Sequence, residues 1–295
     1  MLPSDLQSWT KKLVNQYNFQ AGKKMGQHFL IDEGVLSYII KTANLKPQQK
    51  VLEIGGGLGV LTLALLKSGA QVVTVELDSK LAVGLKKLAS AGSNLKVLQG
   101  DILKFKPEVL KQELNLSDNE SFVVVANLPY EISCAFLRQF LSGTLRPESM
   151  TLLLQKEVGE RLVAPPGEKS LISILADLAC TQKNIVRLVS PASFWPEPRV
   201  ESCLIKLDLH SKINSSPISV AEEKIIWQLC RLGFAARRKM LFHNLLGGLH
   251  LDKSVLESIF VTAQVPRQAR AQELGIEQWA SLAREYQKMI NSIEK

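Results

Sequence analysis

Short apolar runs alternate with segments of helical periodicity through the first two-thirds of this chain, and the junction after the first run carries three consecutive glycines. KVLEI (50–54), QVVTVEL (71–77), NLKVLQG (94–100) and SFVVVANL (121–128) each read as a buried strand. VLTLALLKSG (60–69) and SKLAVGLKKLAS (79–90), between them, have helical spacing. A strand that is apolar on both faces needs cover on both, and a helix after each strand supplies it. Repeated βα units predict an α/β fold with a mainly parallel sheet. Further on, residues 133–143 predict a helix, 150–164 a strand running into a helix, and 170–182 another helix. NIVRLVSP (184–191) and SCLIKLDL (202–209) follow as strands with little helix between them, so one edge of the sheet is expected to be antiparallel.

The pattern changes near residue 210. HSKINSSPIS (210–219) is polar and reads as a linker. Only helical patterns follow: 221–234, 237–248, 252–263 and 276–291. A division into domains 1–210 and 211–295 is expected, the second small and all-helical. The chain has 295 residues with 36 Lys+Arg against 28 Asp+Glu, a net charge of +8. Residues 211–295 hold 12 basic and 8 acidic side chains, so half of the excess falls on the smaller part. That balance permits a polyanionic partner.

Composition excludes other classes. Hydrophobic residues at 46% and charged ones at 22% rule out a wholly disordered chain. Cys134, Cys180, Cys203 and Cys230 stand far apart among mostly apolar neighbours and read as buried free thiols. The four His are scattered as well, so no metal site is expected. No apolar stretch is long enough to span a membrane. The N-terminal residues lack the apolar core of a signal peptide, so a cytoplasmic location is expected; Lys11, Lys12, Lys23 and Lys24 against the single acid Asp5 leave open an organelle-import segment beside the plainer reading of a solvated leader.

The glycine turn makes the first candidate site. In VLEIGGGLG (51–59), Gly55, Gly57 and Gly59 permit a tight turn and a close approach of backbone to ligand. The G-x-G-x-G spacing is not the dinucleotide fingerprint, and no phosphate-loop Lys follows. Glu76 ends the next strand, where a carboxylate can accept both ribose hydroxyls of an adenosine. Asp101, in GDIL (100–103) after the third strand, can accept from an adenine amino group while the Ile102 amide faces a ring nitrogen. By itself, Asp101 can equally cap a turn. Three polar positions at the carboxyl ends of three successive strands predict an adenosine-containing cofactor.

The second site is Asn127-Leu128-Pro129-Tyr130, closing the fourth strand. A buried amide needs a partner. Pro129 offers no donor, and Tyr130 presents a flat face. The Asn127 side-chain oxygen and the Leu128 carbonyl can each accept a hydrogen bond from the exocyclic amine of a planar base.

These motifs resemble the small-subunit ribosomal RNA adenine N6,N6-dimethyltransferase family. The likeness runs from Gly26 to about Leu274 through GQHFL (26–30), EIGGGLG (53–59), VELD (75–78), GDIL (100–103), NLPY (127–130) and LLQKEVGERLVA (153–164). PASFWPEPRVES (191–202), F-x-x-RRK-x-x-x-x-N (234–244) and PRQARAQEL (266–274) complete it. The resemblance implies a Rossmann-like S-adenosylmethionine-dependent methyltransferase domain with a helical appendage. It implies cofactor contacts at His28, Leu30, Gly55, Gly57, Glu76, Asp101, Ile102 and Asn127, and catalysis by Asn127, Leu128, Pro129 and Tyr130. Phe194 would close the other face of a flipped adenine; read without the family, it is a packed loop residue. The implied partner is small-subunit ribosomal RNA in an immature subunit, met by a monomer. Candidate RNA contacts are Lys23, Lys24, Arg161 and Arg199, with Arg237, Arg238 and Lys239 as a basic run at a helix start. Lys156 and Glu160 have the spacing of an internal ion pair.

The chain departs from the family pattern at three places. Gly56 stands where a proline is usual, His28 where bacterial members often have Asn, and Lys169-Ser170 where a Tyr-Gly pair is common. Two other readings share these motifs: a macrolide-resistance type methyltransferase of large-subunit RNA, and a non-catalytic nucleic-acid-binding relative. Leu128 and the motifs of the helical part favour the small-subunit family.

Overall fold

The computed structural model describes residues 5–16, 27–89, 94–118, 120–210 and 218–293. The chain forms two compact units, residues 1–160 with 181–209, and residues 161–180 with 210–295.

The first unit is built on a seven-stranded sheet. Its strands are β2 (Lys50–Ile54), β3 (Gln71–Glu76), β4 (Leu95–Gln99), β5 (Val123–Asn127), β6 (Ser149–Gln155), β7 (Cys180–Val189) and β9 (Ser202–Leu209), in the order β4-β3-β2-β5-β6-β9-β7. The pairs of β2 with β3 and β5, β3 with β4, and β5 with β6 are parallel, and β9 runs antiparallel to β6. The expected edge reversal is therefore present. Because β2 lies between β3 and β5, the winding changes direction beside it. A crevice opens at such a switch point, at the carboxyl ends of the strands, and this places the site.

Helices α2 (Glu33–Ala43), α3 (Val60–Lys67), α4 (Ser79–Lys86), α5 (Pro107–Glu113) and α6 (Ser133–Ser142) connect the parallel strands or precede them. Asp32 caps α2 by accepting from the Val35 amide at 3.0 Å. Asp78 caps α4 through the Lys80 and Leu81 amides. The core pairs Val51, Val72, Val123 and Val125 of the sheet with Ile39, Leu61 and Leu65 of the helices.

Several elements differ from the expectation. The stretch read as a solvated leader forms helix α1 (Leu6–Gln16), because Leu6, Thr10 and Val14 recur at helical spacing and are all buried. Strand β7 starts at Cys180, so the preceding helix stops at Ala179. Its burial alternates poorly, as expected of an edge strand, which weakened the signal. A two-stranded antiparallel pair, β1 (Phe29–Leu30) with β8 (Phe194–Trp195), is also present; two residues carry no periodicity to read. Helix α7 (Lys156–Val163) follows β6 directly. Lys156 pairs with Glu201 at 2.8 Å across the sheet end, rather than with Glu160.

The second unit is helical: α8 (Leu171–Ala179), α9 (Val220–Gly233), α10 (Leu241–Leu249), α11 (Lys253–Thr262) and α12 (Ile276–Ile293). Its core gathers Ile226, Leu229, Phe242, Phe260 and Trp279, and also Ile174 and Leu178 of α8. Helix α8 thus belongs with the helical part, although the expected boundary near 210 set it in the first domain. Sequence order hides this because the β7–β9 excursion separates α8 from its packing partners. Residues 211–217 of the expected linker lie outside the described residues.

The Lys169-Ser170 departure has a structural role. Ser170 starts α8, its amide donating to Ser173 Oγ at 2.6 Å. The amides of Gly167 and Lys169 donate to the Gln272 carbonyl at 2.8 and 3.2 Å. Lys169 Nζ lies 2.6 Å from Asp177 Oδ2, with only 6% and 10% of the two side chains exposed. Removing one member of a buried pair strands the other charge, at about 3–5 kcal/mol. Lys169→Ala is expected to lower stability by about that amount in urea unfolding, and Lys169→Met/Asp177→Leu to recover most of it. Equal losses in the single and double variants would contradict a coupled pair.

Candidate active site

The glycine turn gives the crevice its floor. The Gly55 amide donates to the Val75 carbonyl at 2.8 Å, tying the turn to the neighbouring strand. Gly55 and Gly57 have φ of +70° and +57°, where a side chain is strained. A Cβ on Gly57 would meet the Phe29 ring at 3.4 Å. The departure at Gly56 has a separate cause. A Cβ there would lie 2.5 Å from Thr74 Oγ1 and 2.8 Å from Leu85 Cδ1. The space that a side chain at 56 would need is held by these two side chains.

Glu76 shapes the next wall. Its carboxylate accepts from the Gly57 amide and from the Asp78 amide, each at 2.9 Å. Burial raises its pKa, against those backbone donors. One lone pair on each oxygen is still available to a diol. Asp101 caps the short turn Ile102–Lys104 by accepting from the Leu103 amide at 3.0 Å, and it also lines the crevice with Ile102. The capping and ligand-facing readings of Asp101 are therefore compatible.

The wall opposite grows from the end of β5. The Leu128 amide makes the last ladder bond, to the Leu153 carbonyl at 2.9 Å. Pro129 has no N–H to continue it, so the chain leaves the sheet and turns through Tyr130–Ile132 into α6. Asn127, at that exit, donates from Nδ2 to the His28 carbonyl at 3.0 Å. An amide whose NH2 faces a carbonyl must turn its oxygen the other way, so Oδ1 is presented as an acceptor. The Tyr130 hydroxyl bonds Ser202 Oγ at 2.7 Å, which holds the ring in place 5.4 Å from the His28 ring. Burial raises the Tyr130 pKa.

His28 is set by the β1–β8 pair, whose register matches Phe29 with Trp195 and Leu30 with Phe194. Its Nδ1 lies 2.6 Å from the Pro196 carbonyl. A carbonyl only accepts, so Nδ1 carries a hydrogen. The sequence places His28 in GQHFL but contains no sign that its backbone orients Asn127, because the two stand 99 residues apart.

The crevice encloses about 250 Å³. It brings together His28, Gly55, Gly57, Glu76, Asp101, Ile102 and Asn127 through Tyr130. Two expected site residues do not reach it. Leu30 is 4% exposed and Phe194 is 1% exposed, and both pack in the core of the first unit. Phe194, expected to close on an adenine, is packed in that core beside β1. Phe29, whose ring lines the crevice, was missed. Among the expected RNA contacts, Arg161, Arg199, Arg237, Arg238 and Lys239 are exposed, and Lys23 and Lys24 lie outside the described residues. The basic run occupies the turn before α10 rather than its first turn.

Glu53, beneath the glycine turn, is fully buried and accepts from Thr62 Oγ1 at 2.7 Å. Burial raises its pKa to about 7. Between pH 4.5 and 7 the folded protein keeps this proton while the unfolded chain has released it. The contribution to stability is full below pH 4.5, falls as pH rises, and levels off above 7, a span of about 3 kcal/mol. Glu53→Gln removes that slope, so its urea midpoint should fall less than wild type from pH 4.5 to 7; parallel curves would contradict the assignment. Phe194→Ala should cost about 3–5 kcal/mol of stability as a core truncation, with cofactor affinity of the folded fraction retained. Wild-type stability combined with lost methyl transfer would restore the adenine-facing role.

Residues 18–288 match the family described as ribosomal RNA adenine dimethylase. The ribosomal RNA small subunit methyltransferase A of Dehalococcoides mccartyi is 38% identical over 281 residues, covering 95% of this chain and 94% of that protein. The structure of a dimethyladenosine transferase from Plasmodium falciparum superposes with a TM-score of 0.69 at 26% identity, covering 88% of this chain and 98% of that one. The 23S rRNA methyltransferase ErmE superposes with a TM-score of 0.66 at 25% identity, covering 87% and 98%. With a family match across nearly its whole length, the chain belongs to the ribosomal RNA adenine dimethylases.

Proposed function

We propose that this protein transfers methyl groups from S-adenosylmethionine to N6 of two adjacent adenines near the 3′ end of small-subunit ribosomal RNA, giving N6,N6-dimethyladenosine. It acts as a monomer on an immature small subunit in the cytoplasm. The observation that carries the reading is the orientation of Asn127, whose Nδ2 is occupied by the His28 carbonyl so that Oδ1 is free to accept. The small-subunit target is favoured over the large because the relative named for that subunit is 38% identical across 95% of the chain.

The residues present fit an adenosine-bearing methyl donor. The glycine turn leaves a cradle that a Cβ on Gly57 would crowd against Phe29. Glu76 offers a pair of acceptors for a ribose, and Asp101 with Ile102 form the edge where an adenine would lie. When bound, S-adenosylmethionine supplies a methyl group on a sulfonium, an activated donor. The protein's task is then to position the acceptor and make its lone pair available.

Adenine N6 is a poor nucleophile because its lone pair is delocalised into the ring. Asn127 Oδ1 and the Leu128 carbonyl accept its two hydrogens and favour a pyramidal nitrogen as positive charge develops. The base lies against the Tyr130 ring, which Ser202 holds. An extrahelical adenine is required, since the crevice cannot admit a paired one. The Asn127 amide is too weakly basic to keep the proton released from N6, which passes to water at the crevice mouth. In the second transfer one N–H remains for Asn127 Oδ1, and Pro129 provides a wall that adds no competing donor. Arg161, Arg199 and the Arg237–Lys239 turn contact RNA phosphates.

Asn127→Ala should lower single-turnover methyl transfer to unmethylated small-subunit particles by about 10²–10³-fold with the thermal midpoint near wild type. Asn127→Asp, which cannot donate to the His28 carbonyl when ionised, should fall similarly. Near-wild-type turnover in either folded variant would overturn the role.

A further inference from the structure

The motif F-x-x-RRK-x-x-x-x-N ends on a residue that the proposed chemistry does not use. Asn244, in the first half of α10, donates from Nδ2 to two carbonyls, Gly233 at 2.6 Å and Ala236 at 3.1 Å. The first belongs to the last residue of α9, where helix carbonyls lack partners of their own. The second lies inside the turn that carries Arg237, Arg238 and Lys239, and it also accepts from the Lys239 amide at 3.0 Å. A single side chain thus fixes both ends of the turn's entry.

Other contacts in the helical unit stiffen the same turn. The Leu241 amide donates to the Ala269 carbonyl at 2.8 Å, tying the turn's exit to the PRQAR segment. A Cβ on Gly233 would come within 2.6 Å of Leu241 Cδ1 and 2.7 Å of the Trp279 ring, so the backbone there sits directly on the core. Phe234 stacks near Trp279 with ring centroids 6.0 Å apart. Above this fixed base Arg237, Arg238, Lys239 and Met240 are exposed. Two other cations of the unit are engaged internally, Arg267 with Glu257 at 2.9 Å and Arg284 with Glu222 at 2.7 Å. Among the described residues the three cations of the turn have no such carboxylate partner.

We propose that Asn244 is a positioning residue, which holds the 234–239 turn in a preformed shape so that Arg237, Arg238 and Lys239 meet RNA phosphates without first being ordered. A turn that is already rigid loses less conformational entropy on binding. The inference rests on the reading above that these cations contact RNA, and it adds the residue through which that contact is organised.

The test is steady-state methylation of unmethylated small-subunit particles by the full chain, below the unfolding midpoint of every variant. Asn244→Ala and Asn244→Leu, the second keeping the volume without donors, should raise the KM for particles about tenfold. The kcat and the affinity for S-adenosylmethionine should stay unchanged. Asn244→Ser, which keeps one donor and disturbs packing least, should give an intermediate rise. The triple variant Arg237→Ala/Arg238→Ala/Lys239→Ala should raise KM and reduce the salt dependence of RNA binding. Asn244→Ala added to that triple should raise KM no further. If the triple variant leaves KM and salt dependence unchanged, the RNA-contact reading fails, and this proposal with it. If the triple variant weakens binding while Asn244→Ala and Asn244→Ser do not, the RNA-contact reading stands and the role of Asn244 is overturned. A further rise from Asn244→Ala in the triple background would also overturn it, since Asn244 would then act by another route.

Discussion

The bond from Asn127 Nδ2 to the His28 carbonyl is the constraint on which the site depends. An amide side chain can present either end to a ligand, and only a committed partner decides which. Here the partner is a backbone carbonyl, which cannot reverse its polarity. That carbonyl is held in turn by the β1–β8 pair and by His28 Nδ1 donating to Pro196 at 2.6 Å. Pieces from three regions of the chain converge: the segment before α2, the end of β5, and the segment after β7. Buried Leu30 and Phe194 matter for this reason. They pack the two-stranded pair onto the core and so fix where the His28 carbonyl points.

The other half of the crevice follows a different logic, in which backbone supplies the shape and a carboxylate supplies the recognition. Positive φ at Gly55 and Gly57 aims their amides, and Glu76 anchors one of those amides while keeping acceptor capacity for a ligand. Beneath it, Glu53 is buried with Thr62 as its hydroxyl donor, and Thr74 fills the space beside Gly56. The glycine at 56 and the threonine at 74 are complementary in volume, so a larger residue at 56 is disfavoured in this chain by its neighbours.

The centre of the sheet was legible in the sequence because β2, β3, β5 and β6 are apolar on both faces and the helices beside them are periodic. KVLEI, QVVTVEL and SFVVVANL lie where β2, β3 and β5 are found. The crevice residues on strand ends were legible for the same reason, since position after a strand is a local property. What escaped was long-range or too short to be periodic. The β1–β8 pair has two residues per strand, α8 is separated from its core by a β excursion, and Phe194 can be assigned to a pocket or a core only by its surroundings. The leader residues Leu6, Thr10 and Val14 do carry a helical spacing, and a count at that spacing would have found α1.

The fold alone does not separate the possible targets, because a dimethyladenosine transferase and a 23S rRNA methyltransferase superpose almost equally well. In the proposed function Asn127, Leu128 and Tyr130 receive the adenine amine, and the choice of RNA belongs to surfaces away from the crevice. The decisive measurement is to supply S-adenosylmethionine and a mixture of unmethylated small and large subunit particles, then map the modified nucleotides and count methyl groups on each by mass spectrometry. The account predicts N6,N6-dimethyladenosine at two adjacent positions near the 3′ end of the small-subunit RNA. Methylation confined to large-subunit RNA, or product that stops at one methyl group per adenine, would contradict it.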